Sequence, residues 1–254
     1  LTERQTDMAK IVGIGACVFD TLYNIPTYPT EDTKMRAIGS KCAGGGPVAT
    51  GLVAASKLGE QTAYIGVLSD DNGGNFLKAD FEKYRVQTSY IDVKSGYRSF
   101  ASVLWLCADS ATRTCVFDKG DLPALVLSNE QKNAIADADV LMVHICPVPA
   151  SLIEKGKKLR AILSNRGGLE NIAIEAATES RDTDIALLRS VAEKSRLKAK
   201  RKAEPIKEGS LFLSRTLTSL CTVLLLMPKK AAVPLTVARF SSIYKATVSQ
   251  RSLL

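Results

Sequence analysis

Short apolar runs alternate with amphipathic segments along the first 145 residues of the chain. The runs are rich in β-branched residues, which is typical of strands buried on both faces of a sheet. They predict strands at residues 10–14, 62–68, 91–93 and 140–145. Segments of helical period between them predict helices at residues 48–58, 75–84 and 129–136, the last capped by Ser128. The alternation predicts an α/β fold with a largely parallel sheet.

Three further segments lie outside this alternation. Residues 34–43 have the composition of a strand, and residues 100–106 and 112–117 predict a β-hairpin rich in β-branched and aromatic residues. A polar loop at residues 26–33 precedes them. We expect these strands to form a small β layer that is separate from the main sheet.

The chain changes in composition near residue 146. Residues 1–146 contain 14 Lys and Arg against 17 Asp and Glu, a net charge of −3, whereas residues 147–254 contain 20 against 9, a net charge of +11. Helices are predicted at residues 151–163 and 184–202, the second ending in a basic run. Residues 209–254 contain no acidic residue and show no clear period, so the fold of this segment is not predicted. We therefore divide the chain into residues 1–146 and a divergent basic segment, residues 147–254.

Cysteine and histidine usage limits the chemistry that the chain can carry. None of the six cysteines forms a C-x-x-C pair, and His144 is the only histidine. This pattern argues against zinc sites, and no secretory signal precedes the cysteines, so we expect reduced thiols in a cytoplasmic protein. No uninterrupted apolar segment reaches 18 residues, so no membrane span is expected.

Two features of the first segment could bind a ligand. A glycine run, residues 44–46, leads into a predicted helix, where it would let a ligand approach the backbone; it could equally be a tight strand–helix turn. Asp20 follows the first strand, where a carboxylate could accept hydrogen bonds from sugar hydroxyls or simply be a solvated loop residue. The dinucleotide pattern G-x-G-x-x-G fails because position 18 is Val, and no Lys precedes Thr50 as a Walker A loop requires.

The order and spacing of these motifs are more specific than either one alone. The string Val18-Phe19-Asp20 is followed by Gly45-Gly46-Pro47-Val48-Ala49-Thr50, then by Leu58-Gly59, Tyr64-Ile65-Gly66 and Asp70-Asp71-Asn72-Gly73-Gly74. This series resembles the first glycine signature of the ribokinase-like (PfkB) carbohydrate kinases. The resemblance covers roughly residues 10–143.

The resemblance implies a Rossmann-like ribokinase fold with a small β-strand lid over the sugar, formed here by residues 34–43 and the hairpin. It implies transfer of the γ-phosphate of ATP to a sugar hydroxyl, with Mg²⁺, and lids that often pair into homodimers. Asp20 matches the family's sugar-hydroxyl aspartate, and Gly45 and Gly46 match the glycines that line the sugar. Thr50 stands where most members have Asn, which leaves the preferred sugar open.

The second segment departs from the family pattern. The D-T-x-G-A-G-D string that supplies the family's anion hole and catalytic base does not occur, and no Asn is followed by Glu three residues later, as the magnesium motif requires. No catalytic residue and no metal ligand is therefore assigned. Three explanations are open: a shifted reading frame, a sugar-binding pseudokinase, or an added basic module that binds nucleic acid or acidic lipid. Interleaved aromatic residues, expected of a single-strand binder, are missing from the basic run, so nucleic-acid binding is disfavoured.

Overall fold

The computed structural model of the protein describes residues 11–165, 170–173 and 186–189. The strands in these ranges are β1 (Ile11–Ile14), β2 (Val18–Ile25), β3 (Gly39–Gly45), β4 (Thr62–Ser69), β5 (Ile91–Lys94), β6 (Ala101–Cys107), β7 (Thr112–Asp118), β8 (Val140–Val143), β9 (Ala161–Ser164) and β10 (Ala186–Arg189). The helices are α1 (Pro47–Lys57), α2 (Asn72–Lys83), α3 (Asn129–Ala136) and α4 (Ala150–Lys155). None of these helices has the length and apolar character that crossing a bilayer requires.

Six strands form the main sheet, in the order β10-β9-β8-β1-β4-β5. Every neighbouring pair in this sheet is parallel, as the alternating pattern predicts. The chain moves from β1 through β4 to β5 on one side, and then returns through α3 to β8 on the other side of β1. The strand order therefore reverses between β1 and β8. In open α/β sheets such a reversal leaves a crevice at the carboxyl ends of the two strands, which is where ligands bind.

The two faces of the main sheet bury separate apolar clusters. One cluster packs β1 and β8 against α3 and α4, with Ile135, Leu152 and Ile153 as its helical members. The other packs the opposite face against α1 and α2, and contains Leu52 and Phe81. Both faces of the central strands are thus covered by helices, which explains why those strands are continuous apolar runs.

The remaining strands form a second sheet of four, in the order β3-β2-β6-β7. We call this sheet the lid. Strand β2 pairs with β3 in antiparallel and with β6 in parallel orientation, and β6 and β7 form the predicted hairpin. The separate β layer expected from the sequence is confirmed, although β3 spans Gly39–Gly45 rather than residues 34–43.

Sequence periodicity missed or misplaced several elements. The hydrophobic pattern does not predict strand β2, because Val18–Ile25 mixes polar and apolar residues, as a strand exposed on part of its surface does. Helix α2 begins at Asn72, three residues before the predicted start, because the Asp71 side chain caps it and accepts a hydrogen bond from the backbone N–H of Gly74 at 2.8 Å. Gly73 and Gly74 lie in the first turn of α2, and because glycine has a low helix propensity, the sequence does not predict a helix there.

The single helix predicted for residues 151–163 is wrong. Helix α4 ends at Lys155, Gly156 follows it, and Ala161–Ser164 is strand β9, which pairs with β8. Ala186–Arg189, predicted as part of a helix, is strand β10 and pairs with β9. Short apolar runs of this kind fit a buried strand and a helix segment equally well. The main sheet therefore continues beyond residue 146, while the basic run at residues 194–202 lies outside the described residues.

Candidate functional site

Asp20 lies on the lid strand β2, opposite Ser102 of the neighbouring strand β6. The Ser102 hydroxyl donates a hydrogen bond of 2.5 Å to Asp20 Oδ1. Asp20 is half-buried, and this burial raises the pKa of its carboxyl group, while the Ser102 hydrogen bond and the charge of Arg113 act in the opposite direction. The site thus holds an oriented carboxylate that water only partly solvates.

Gly45 lies directly beneath this carboxylate. A Cβ added at Gly45 would meet Asp20 Oδ2 well inside the 3.0 Å below which real Cβ atoms essentially never approach. Any side chain at position 45 would therefore displace the Asp20 carboxylate. The glycine predicted to line the sugar is the residue that gives Asp20 its space.

Gly46 turns the chain from β3 into α1. Its φ of 99° lies in the region that favours glycine, and a Cβ there would collide with the backbone carbonyl of Ala16. Pro47 follows at the first helical position, where its missing N–H costs nothing. The connection from β1 into the lid therefore passes directly against the start of α1.

Thr50 lies in the first turn of α1, with its backbone N–H bonded to the Gly46 carbonyl at 3.0 Å. The structure thus brings Asp20, Gly45 and Gly46 together, and places Thr50 one helical turn farther on. Thr50 is half-buried, so part of its side chain can be reached from outside.

Sequence inspection missed two residues that act on Asp20. Ser102 donates the hydrogen bond to Asp20. Arg113 of β7 pairs with Leu106 of β6, and Leu106 lies on the same face of β6 as Ser102, so Arg113 and Ser102 share one face of the lid. Alternation along the hairpin could have placed both on one face, but only knowledge of the β2–β6 register aligns that face with Asp20.

The Asp71 carboxylate joins the lid to the main sheet. In addition to capping α2, it accepts hydrogen bonds from the Ser99 hydroxyl at 2.6 Å and from the Ser99 backbone N–H at 2.8 Å. Partial burial would raise the pKa of Asp71, but the bonds from Ser99 and Gly74 outweigh it and lower the pKa. The second Asp of the D-D-x-x-G motif therefore links the start of α2 to Ser99, which lies just before β6.

The part of the chain described by the structure contains no group of three or more His, Cys, Asp or Glu side chains placed to hold a metal ion. The five cysteines in the described ranges are free thiols, and burial raises the pKa of Cys17 beside the Asp20 site.

Comparison with known proteins agrees with this architecture. The sequence profile of the pfkB family carbohydrate kinases matches residues 8–192. This match extends well beyond the motifs near residues 10–143 and includes β9 and β10. Mouse ketohexokinase (Mus musculus) is 26% identical over 123 residues, which are 48% of this chain and 41% of that enzyme. The chain thus spans less than half the length of this curated relative.

Two solved structures share the fold. The ribokinase of Arabidopsis thaliana, solved in complex with ribose and ATP, superposes with a TM-score of 0.56 at 18% identity, covering 86% of this chain and 69% of that one. The ribokinase of Thermotoga maritima gives a TM-score of 0.55 at 15% identity, covering 78% and 65%. The predicted α/β, ribokinase-like fold is confirmed.

Proposed function

The chain belongs to the pfkB family of carbohydrate kinases, and from this membership we propose that it binds a sugar between Asp20 and the start of α1. In this proposal Asp20 accepts hydrogen bonds from sugar hydroxyls, Gly45 and Gly46 let the sugar approach the backbone, and Thr50 lines the site in place of the family's Asn.

One observation carries the proposal. A carboxylate that is half-buried, held by Ser102 and given room by a glycine has a fixed direction and few waters to lose. Hydrogen bonds to a charged acceptor are about twice as strong as neutral ones, and a fixed carboxylate can accept from two adjacent hydroxyls. An aspartate that only contacts solvent would not be expected in this position, because partial burial of a charged group without binding partners is unfavourable.

Phosphoryl transfer is the part of the family's activity that we propose is impaired here. ATP and Mg²⁺ are the cosubstrate and metal that the family implies. The D-T-x-G-A-G-D string that would supply the anion hole and the base is not in the 254 residues. We therefore expect these residues to bind sugar with little or no turnover, as a pseudokinase would.

Two measurements on the full chain test this proposal. Thermal unfolding is followed with a panel of pentoses, hexoses and keto-acid sugars, and ADP release is followed with ATP, Mg²⁺ and the same sugars. We expect at least one sugar to raise Tm, Asp20→Ala to abolish that shift, and ADP release to stay at background. Asn24→Ala, an exposed position farther along the same strand β2, is the matched control.

The outcomes separate the two parts of the proposal. Robust ADP release would overturn the proposed loss of turnover and leave sugar binding standing. A shift that survives in Asp20→Ala would overturn the assignment of the site. No Tm shift with any sugar would overturn sugar binding itself.

We further propose that the protein is cytoplasmic and pairs into a homodimer through the lid. Support for pairing comes from Tyr23, Val103 and Trp105, large apolar side chains that are 36–38% exposed and share the lid face opposite to Asp20. Trp105→Glu is expected to convert a dimer into a monomer in analytical ultracentrifugation. A wild-type chain that sediments as a monomer at high concentration would refute the dimer.

A further inference from the structure

The β6–β7 hairpin, which carries Ser102 and Arg113, has its two open ends side by side. Ala101, the first residue of β6, pairs with Asp118, the last residue of β7. Ser102 therefore lies close to this end, and it donates the hydrogen bond to Asp20. Contacts that hold the two ends in place also set the positions of Ser102 and Arg113.

Arg98, just before β6, is bound to both sides of the end of β7. Its guanidinium Nη1 donates to Asp118 Oδ2 at 2.7 Å, and its Nε donates to Asp121 Oδ2 at 3.3 Å. The backbone N–H of Arg98 donates to the other carboxylate oxygen of Asp121, Oδ1, at 2.6 Å. We call Arg98, Asp118 and Asp121 the clasp, because they join the segment that enters the hairpin to the segment that leaves it.

The backbone on the two sides of the clasp is also in close contact. Gly120 has a φ of 65°, and a Cβ there would collide with the carbonyl oxygen of Arg98. The N–H of Gly120 donates to Asp118 Oδ1 at 2.9 Å, and the N–H of Asp121 donates to the Arg98 carbonyl at 3.3 Å. The turn after β7 therefore requires glycine and lies directly against the segment that enters β6.

The clasp is a network of charges rather than a single ion pair. The hydrogen bond from Gly120 and the charge of Arg98 lower the pKa of Asp118, and the backbone and side chain of Arg98 lower the pKa of Asp121. Its three side chains are 50–63% exposed, and a single exposed ion pair contributes little. Here one guanidinium binds two carboxylates, and backbone hydrogen bonds support both contacts.

Ser99 connects the clasp to the start of α2. Its hydroxyl and its backbone N–H both donate to Asp71, the residue that caps α2. Because Arg98 directly precedes Ser99, the clasp ties the end of β7 to a point that is already fixed. Strand β7 is the edge strand of the lid, and all of its residues are exposed. The clasp thus gives this strand an attachment in addition to its pairing with β6.

We propose that the clasp holds the β6–β7 hairpin in the position from which Ser102 and Arg113 act on Asp20, so that Arg98 is a positioning residue for the sugar site. The inference rests on the proposed sugar-binding function and adds an electrostatic control to it. Because the charges of the clasp are exposed, salt screens them and weakens the hold on the hairpin.

Sugar titration calorimetry and hydrogen-exchange mass spectrometry of the full chain test the inference without requiring turnover. The titrant is the sugar that raises Tm of the wild-type chain. The variants are Arg98→Gln, which removes the charge, and Arg98→Lys, which keeps the charge but not the planar fork. The matched control is Lys158→Gln, which breaks a comparably exposed ion pair with Asp137, outside the lid.

We expect Arg98→Gln to weaken sugar binding about threefold at low salt, the size of effect that exposed ion pairs have. Arg98→Lys should restore part of this loss, and Lys158→Gln should bind like the wild type. At about 1 M salt, where the screening length is about 3 Å, the wild type and Arg98→Gln should bind equally. Amides of β6 and β7 should exchange faster in Arg98→Gln than in the wild type, while those of β4 should exchange equally.

Other results overturn the inference in distinguishable ways. If Arg98→Gln binds the sugar as tightly as the wild type while Asp20→Asn loses it, the positioning role is wrong and sugar binding stands. A loss that neither Arg98→Lys nor high salt changes would show that the charges of the clasp are not its cause. If the wild type binds no sugar, the sugar-binding function and the positioning role fall together. Unchanged exchange in β6 and β7 of Arg98→Gln would overturn the clasp itself, whether or not a sugar binds.

Discussion

Replacing Gly45 by Ala should disable the sugar site while leaving the lid folded. The added methyl group would take the space of Asp20 Oδ2, so the carboxylate must withdraw by about 1 Å or more to reach even a 3.0 Å contact. The 2.5 Å hydrogen bond from Ser102 is stretched or broken by a movement of that size. Because the colliding atom ends a side chain, the β3 backbone itself need not move.

The size of the effect follows from the bonds that Asp20 would make. A hydrogen bond to a charged group contributes about 1.5–3 kcal/mol, so displacing the acceptor from the sugar should weaken binding roughly 10- to 100-fold. Overpacking typically costs about 1–3 kcal/mol of stability. Binding should therefore suffer in a chain that still folds.

Calorimetric sugar titration combined with thermal unfolding measures both quantities. Gly39→Ala is the matched control, since it lies on the same strand and a Cβ there meets nothing within 4 Å. It should bind sugar normally. If Gly45→Ala folds and binds sugar as tightly as the wild type, the Asp20 carboxylate is not the sugar acceptor, and the reasoning from its geometry is refuted.

Three other predictions concern the residues around this site. Ser102→Ala removes the donor to Asp20, so sugar affinity should fall about tenfold in a calorimetric titration; unchanged affinity would contradict the role of Ser102. Burial raises the pKa of the Asp20 carboxyl group, so this group should become protonated, and sugar affinity should fall, at a pH above the usual range of an aspartate. A raised pKa also means that ionisation of Asp20 lowers the stability of the folded protein as pH rises through that pKa. Asp20→Asn, which carries no charge, should therefore be at least as stable as the wild type at pH 7 in urea unfolding. Asp71→Ala removes the cap of α2 and should lower the free energy of unfolding by about 1–2 kcal/mol in the same assay. Asp70→Ala, at the exposed neighbouring position, should lower it little. Equal losses in the two variants would contradict the structural role of Asp71.

Local signals predicted four of the six strands of the main sheet, β1, β4, β5 and β8, whereas β9 and β10 were predicted as helices. Helix α3 spans Asn129–Ala136 as expected because Ser128 and Gln131 form a reciprocal capping box, a signal contained in four residues. The central strands were found because burial on both faces leaves continuous apolar runs. Features that depend only on neighbouring residues could thus be predicted from the sequence.

Long-range pairing could not be predicted in the same way. Strand β2 carries Asp20, yet its mixed pattern makes sense only when β3 and β6 pair on its two sides. Ser102 is separated from Asp20 by 82 positions, and nothing local in the hairpin marks it as a hydrogen-bond donor to a carboxylate. The motifs predicted Asp20, Gly45 and Gly46 as candidate site residues, whereas tertiary structure was required to show how Gly45 makes room for Asp20.

The central claim is that Asp20 binds a sugar, and a calorimetric comparison of the wild-type chain with Asp20→Asn tests it most directly. Asn keeps the shape and the hydrogen bond from Ser102 but removes the charge. The account predicts saturable, one-site sugar binding to the wild type and a loss of about tenfold or more in Asp20→Asn, with both proteins equally folded. Equal affinity in the two proteins, or no binding to the folded wild type by any pentose, hexose or keto-acid sugar, would contradict it.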